Sequence, residues 1–303
     1  MSKGLKFFFI AFLASFFGVF ALNIFQENLE NSFYAQISHP FQQIYEVKIP
    51  EKPQKPNLDL QVKAAISVLV DSQGGKRVLF KKNSDERLPV ASLTKLMTAN
   101  IVLENYDLSR EIKISEEAVA QNGEAGKLTA GKIFSVEYLL YPLLMESSND
   151  AAYALTNDYN EITEEKFIEL MNLKAEGLGL ENTYFVNPTG LDPEQPDHSI
   201  NYSTTEDLVK LTKYLLKKSS IWEILTTQKF SLYGPELINT NELLGKIPNI
   251  VGGKTGFTDQ AGGCMLLVLK NEKGNYLINV ILDTGSPEAR FEEMEKLIEW
   301  LNL

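Results

Sequence analysis

Residues 7–25, FFFIAFLASFFGVFALNIF, are uncharged and apolar on every side of any helix they form. As a helix this run spans about 28 Å, close to the ~30 Å hydrocarbon core of a bilayer. Lys3 and Lys6 precede it, the flank expected on the cytoplasmic side. The pattern predicts a membrane anchor or signal segment over residues 1–26. Val19 and Ala21 make only a weak cleavage site before Leu22, so an uncleaved anchor is the preferred reading, with secretion after cleavage as the alternative. Residues 27–58 then read as an extracytoplasmic tether. In KIPEKPQKPNL, Pro50, Pro53 and Pro56 recur at every third position among charges, which favours extended polyproline II.

From residue 59 the periods change. VKAAISVLVD and KRVLFKKN are strand-like runs joined by SQGG, the pattern of a hairpin. After Pro89, ASLTKLMTANIVLENY places Leu93, Leu96, Met97 and Ile101 at helical spacing. SVEYLLYPLLM and DAAYALTNDY predict two further helices. TEEKFIELMNLKAEGLGL starts at a capping Thr163 and stops at Gly177 and Gly179, and STTEDLVKLTKYLLKK repeats that start with Glu206 in its first turn. GCMLLVLK and NYLINVILD form a second hairpin about NEKG, and SPEARFEEMEKLIEWLN closes the chain as an amphipathic helix. Strands at both ends with helices between predict an α+β domain over residues 59–303. In it, N- and C-terminal segments meet in one antiparallel sheet packed with an inserted helical region.

Composition narrows the function. The chain has 303 residues, with 29 Lys+Arg against 40 Asp+Glu and a net charge of −11. That excludes the basic footprint of a nucleic-acid binder. One cysteine, Cys264, makes no internal disulfide and no zinc cluster, and it reads as a buried strand residue. His39 and His198 lack metal-ligand spacing and any Ser-His-Asp context. No cofactor or metal is expected.

Three short segments carry chemistry. Ser92 and Lys95 stand at i and i+3, one helix face, so hydroxyl and amine can meet. Pro89 just upstream puts Ser92 in a first turn, where unpaired N–H groups favour developing negative charge. A serine needs a base to become a nucleophile. A lysine serves only if burial or a nearby cation lowers its pKa. Alone, S-x-x-K is a chance-level pattern. Lys254-Thr255-Gly256, before the strand GCMLLVLK, offers a cation and a hydroxyl for a carboxylate, and Gly256 admits a close substrate backbone. Lys254 is also a candidate for the cation acting on Lys95. MESSNDAA supplies Ser147 and Asn149 between two apolar helices, with Ser or Asp as an N-cap. The same S-x-N spacing recurs at Ser199 and Asn201, in an exposed-looking context.

The ordered set S-x-x-K, S-x-N, K-T-G resembles that of penicillin-recognising serine enzymes. Over residues 60–302 the chain is similar to low-molecular-mass D-alanyl-D-alanine carboxypeptidases. FIELMNLKAEGLGLENTYFVNPTGL, YSTTEDLVKLTKYL and KTGFTDQAGG are similar to blocks typical of that family. The resemblance implies the β-lactamase/penicillin-binding-protein fold and a set of roles. Ser92 attacks the D-Ala-D-Ala carbonyl and Lys95 takes its proton. Ser147 with Lys254 protonates the leaving D-alanine. Asn149 holds the acyl part, Thr255 helps hold the carboxylate, and the N–H groups of Ser92 and Phe257 form the oxyanion hole. It also implies a peptidoglycan pentapeptide as substrate and β-lactam antibiotics as covalent inhibitors.

Some relatives carry an arginine upstream of K-T-G for the carboxylate; here Thr240 stands in that stretch. The alternatives are a D,D-endopeptidase, a β-lactamase, and a catalytically silent β-lactam- or wall-sensing module. EITEEKFIELMN offers no convincing deacylating glutamate for the second, and three intact motifs oppose the third.

Overall fold

The computed structural model describes residues 3–37, 57–123, 126, 128–159, 161–193, 195, 199–231 and 236–302. They fall into two units that divide after residue 54. The first is one helix, α1 (Lys3–Ile37), whose most apolar window reaches a mean hydropathy of 2.3 and which is long enough to cross a bilayer. It runs past the boundary expected at residue 26, so the first part of the expected tether, residues 27–37, is helical. NIFQENLENSFYAQI holds no proline or glycine to stop it, and Gln26 donates to Glu30 one turn on. The polyproline reading of Pro50, Pro53 and Pro56 lies outside the described residues.

The second unit is built on a five-stranded antiparallel sheet. Its strands are β1 (Val62–Val70), β2 (Lys76–Lys82), β3 (Ile250–Thr258), β4 (Gly262–Lys270) and β5 (Tyr276–Thr284), in the order β2-β1-β5-β4-β3. The chain's two ends meet where β1 pairs β5, with Ile66 opposite Val280. That is the juncture the end-to-end strand pattern predicts. Strand side chains alternate between faces, and here both faces are covered. Ile66, Val68, Leu266, Val268, Val280 and Leu282 pack under the helical insert. Ala65, Met265, Leu267 and Ile281 pack under α8 (Ala289–Asn302) through Met294, Leu297 and Ile298. The result is a helix–sheet–helix sandwich with β3 at one edge.

The insert holds α2 (Lys95–Asn105), α3 (Val136–Met145), α4 (Asn149–Tyr153), α5 (Glu164–Gly177), α6 (Thr205–Leu215) and α7 (Ser219–Thr226). Thr163 and Thr204 cap α5 and α6, accepting from the N–H groups of Lys166 and Asp207. The helix carrying Lys95 departs from the amphipathic pattern: every residue from Lys95 to Val102 is buried. Its apolar stripe marks only the part of the surface that would be buried on a half-exposed helix. Its far end is clamped by Glu104, which pairs with Lys174 of α5 at 2.6 Å and Lys218 at 2.9 Å and accepts from the Tyr214 hydroxyl of α6. Although partial burial opposes it, these partners hold the Glu104 carboxyl down at about 2.

A carboxylate with a depressed folded-state pKa stabilises above its unfolded value and loses that contribution as pH falls through the folded one. Glu104→Gln is therefore expected to cost about 1–2 kcal/mol at pH 7. The gap from wild type should close between about pH 4.5 and 2, measured by urea unfolding across that range.

Candidate active site

Ser92 lies in a single 3₁₀ turn, Ala91–Thr94, that leads directly into α2. In 3₁₀ geometry residues i and i+3 eclipse, which brings Lys95 Nζ to 3.0 Å from Ser92 Oγ. The amine has two further partners: Asn149 Oδ1 at 2.8 Å and the backbone oxygen of Thr189 at 2.6 Å. Both are acceptors only. A neutral amine has two N–H bonds and one lone pair; those two oxygens take the N–H bonds and the lone pair is left facing the Ser92 hydroxyl. Full burial of Lys95 lowers its pKa from 10.5 to about 7. The cause is desolvation at the buried start of α2, so burial does the work that the sequence left open between burial and a neighbouring cation.

The second pair faces this one. Ser147 follows α3 in a left-handed backbone conformation, φ 62°, which is strained for serine and aims its side chain into the site. Lys254 Nζ, from edge strand β3, donates to Ser147 Oγ at 2.9 Å and to the Thr255 carbonyl at 2.8 Å. Burial first, then the charges of Lys95 and Arg290, push Lys254 well below the usual lysine range. Gly256 has a nearer reason than substrate approach: a Cβ there would stand 2.9 Å from Ser92 N and 3.1 Å from Ala91 Cβ. The strand therefore abuts the backbone of Ser92 itself. Phe257 follows on the strand edge with its ring exposed. Thr255 Oγ1 contacts Thr240 Oγ1 at 2.7 Å, so Thr240 holds Thr255.

Asn149 acts first inside the protein. Its oxygen orients Lys95, and its Nδ2 donates to the Asn122 carbonyl at 2.6 Å. Its neighbours do likewise: Ser148 Oγ donates to Gly126 O, and Asp150 accepts from Leu128 N. The other S-x-N candidate separates in role. Asn201 is buried and braces residues 186–187 and Thr94, while Ser199 has no part in the site. Cys264 is a free, fully buried strand residue whose thiol is pushed up to about 12 by burial.

The Thr189 carbonyl is the site group that sequence reading missed. A backbone oxygen has no residue signature. The signal lay in NPTG: Asn187 Oδ1 accepts from the N–H groups of Thr189 and Gly190, and Gly190 sits at φ 83° against Ala91 O. Among the described residues no carboxylate bonds to Ser92 or Lys95. The glutamates of α5 instead line a groove of about 780 Å³ that includes none of these groups.

The family of D-alanyl-D-alanine carboxypeptidases of the S11 peptidase type matches residues 49–286. The D-alanyl-D-alanine carboxypeptidase DacF of Bacillus subtilis (strain 168) is 35% identical over 253 residues, covering 80% of this chain and 63% of that protein. The D-alanyl-D-alanine endopeptidase of Pseudomonas aeruginosa is 35% identical over 263 residues, covering 82% of this chain and 81% of its own length. Among solved structures, the ampicillin-bound penicillin-binding protein D2 of Listeria monocytogenes superposes with a TM-score of 0.68 at 34% identity, over 81% of this chain and 98% of that one.

Gly190→Ala should be among the most damaging single changes outside the reacting groups. Its Cβ would fall 2.0 Å from Ala91 O at a positive φ. A loss above about 2 kcal/mol in chemical denaturation is expected.

Proposed function

The chain belongs to the D-alanyl-D-alanine carboxypeptidase family, and we propose that it is itself a serine-type D-Ala-D-Ala carboxypeptidase trimming peptidoglycan stem peptides. The observation that carries this is the Lys95 amine beside Ser92, held by two acceptor-only oxygens. Lys95 takes the Ser92 proton as Oγ attacks the penultimate D-Ala carbonyl. The developing oxyanion meets the N–H groups of Ser92 and Phe257, a stabilisation worth about 3 kcal/mol per donor in comparable sites. Ser147, bonded to Lys254, relays to the departing D-alanine amine the proton that Lys95 took. Lys254, Thr255 and Gly256 receive the terminal carboxylate, and the second Asn149 N–H, which has no partner among the described residues, is left for the acyl part. Water then releases the acyl-enzyme. A β-lactam enters the same path and leaves a slowly hydrolysed ester.

The fold and the family are shared with enzymes of the cell wall, so we place the catalytic unit outside the cytoplasm. There α1 acts as an anchor, or as a signal segment if it is cleaved. A second reading, D,D-endopeptidase, rests on the Pseudomonas relative, which is 35% identical to this chain, as is the Bacillus carboxypeptidase. Cross-linked muropeptide dimers separate the two, because only the endopeptidase divides them.

Labelled penicillin should attach covalently to the wild-type chain, and Ser92→Ala should abolish both labelling and D-alanine release from a pentapeptide ending in D-Ala-D-Ala. The base works only when uncharged, so acylation is retained above the Lys95 pKa and lost below it. Second-order acylation rates measured from pH 5 to 9 should fall tenfold per unit below about pH 7.

A further inference from the structure

Asn122-Gly123 is the one Asn-Gly step in the chain, and both residues are exposed in the segment between α2 and α3. The fold imposes the glycine. Its φ of 121° disfavours any side chain, and a Cβ on it would stand 2.7 Å from Asn149 Nδ2. The asparagine is not imposed in the same way. Its backbone oxygen accepts from Asn149 Nδ2 at 2.6 Å, a bond that any residue could make. Among the described residues, neither the Asn122 side-chain amide nor the Gly123 N–H has a hydrogen-bond partner.

That combination suits imide formation. The Gly123 nitrogen attacks Asn122 Cγ, the Cγ–Nδ2 bond breaks, and ammonia leaves with the Gly123 proton. No side chain on Gly123 hinders the attack, and the reacting amide and N–H give up no protein hydrogen bond. Water then opens the five-membered ring. Opening at the Cγ carbonyl gives aspartate. Opening at the main-chain carbonyl gives isoaspartate, in which the main chain runs through Cβ and is one atom longer. The oxygen that held Asn149 then belongs to a free carboxylate.

The segment is pinned on either side of any such change. Ser148 Oγ donates to Gly126 O at 2.6 Å, and Leu128 N donates to the Asp150 carboxylate at 3.0 Å. Asn149 Oδ1 in turn accepts from Lys95 Nζ at 2.8 Å. One side-chain amide therefore separates the Asn122 carbonyl from the Lys95 amine.

We propose that Asn122 is a self-modification site: imide formation with Gly123, followed by hydrolysis to isoaspartate, removes the carbonyl that holds Asn149 and so loosens Lys95. Water is the only co-reactant, so the change advances with the age of the protein and requires no second enzyme. The proposal goes beyond the activity proposed above, and its effect is read through the Ser92–Lys95 pair assigned there.

The test ages the full chain in detergent at pH 8 and 37 °C and follows Asn122 by peptide mapping that separates asparagine, aspartate and isoaspartate. Anion exchange then divides the aged protein by its added negative charge, so converted and unconverted molecules share one history. Asn122 should convert, mostly to isoaspartate, and labelled penicillin should acylate the converted fraction about tenfold or more slowly than the unconverted one. Asn122→Gln keeps the backbone carbonyl but needs a six-membered ring for the same attack, so it should hold its own starting rate through the same ageing. An Asn122 that stays intact, a converted fraction acylated at the unconverted rate, or an Asn122→Gln chain that loses its rate alongside wild type overturns the proposal. Fresh wild-type protein that penicillin does not acylate overturns the active-site reading itself, and the proposal with it.

Discussion

The site depends on one buried amine. Lys95 sits on a helix with no solvent-facing side along its first eight residues, and its ammonium form is penalised by that burial. Its neutral form is matched, with two oxygens for its two N–H bonds and a hydroxyl for its lone pair. An isolated buried lysine is costly; in the proposed mechanism that cost becomes reactivity, because the group the protein fails to solvate is a base.

Several otherwise unrelated features serve that arrangement. The 3₁₀ turn before α2 eclipses Ser92 and Lys95. Gly190 lets the NPTG loop lie against Ala91 so that the Thr189 carbonyl reaches the amine. Gly256 lets edge strand β3 abut the Ser92 backbone, and the strained turn at Ser147 brings a second hydroxyl to Lys254. Two lysines and an arginine then share one small region. Burial drives both amines toward neutrality, and at Lys254 the charges of Lys95 and Arg290 add to it.

The side chains proposed to react could be picked from the sequence because their patterns are local: an i, i+3 pair, a serine–asparagine turn and a lysine before a strand each span a few residues, and the structure brings them together. The sheet was legible because strand runs and hairpin turns bracket the domain. Partners that act through the backbone left no residue signature, and Thr189 O and Asn122 O became visible only when distant loops met. Arg290 was hidden for a related reason: its helix reads as amphipathic, and nothing local says that it reaches across Gly263 to a strand 34 positions earlier. Burial of every face of α2 from Lys95 to Val102 also escaped the periodicity, because periodicity locates one packed face and is silent on whether the other is covered. The helix runs on past residue 26 to Ile37 because nothing in the polar residues that follow the apolar run breaks it.

The most direct test is a titration of Lys95 itself, by ¹⁵N-detected NMR of labelled lysine side chains, with the resonance assigned through a Lys95→Met variant. The account predicts a midpoint near the value of about 7 that burial imposes. A midpoint near the ordinary 10.5 would mean that the amine is an ammonium at working pH and is not the base, and the mechanism built on it would fall.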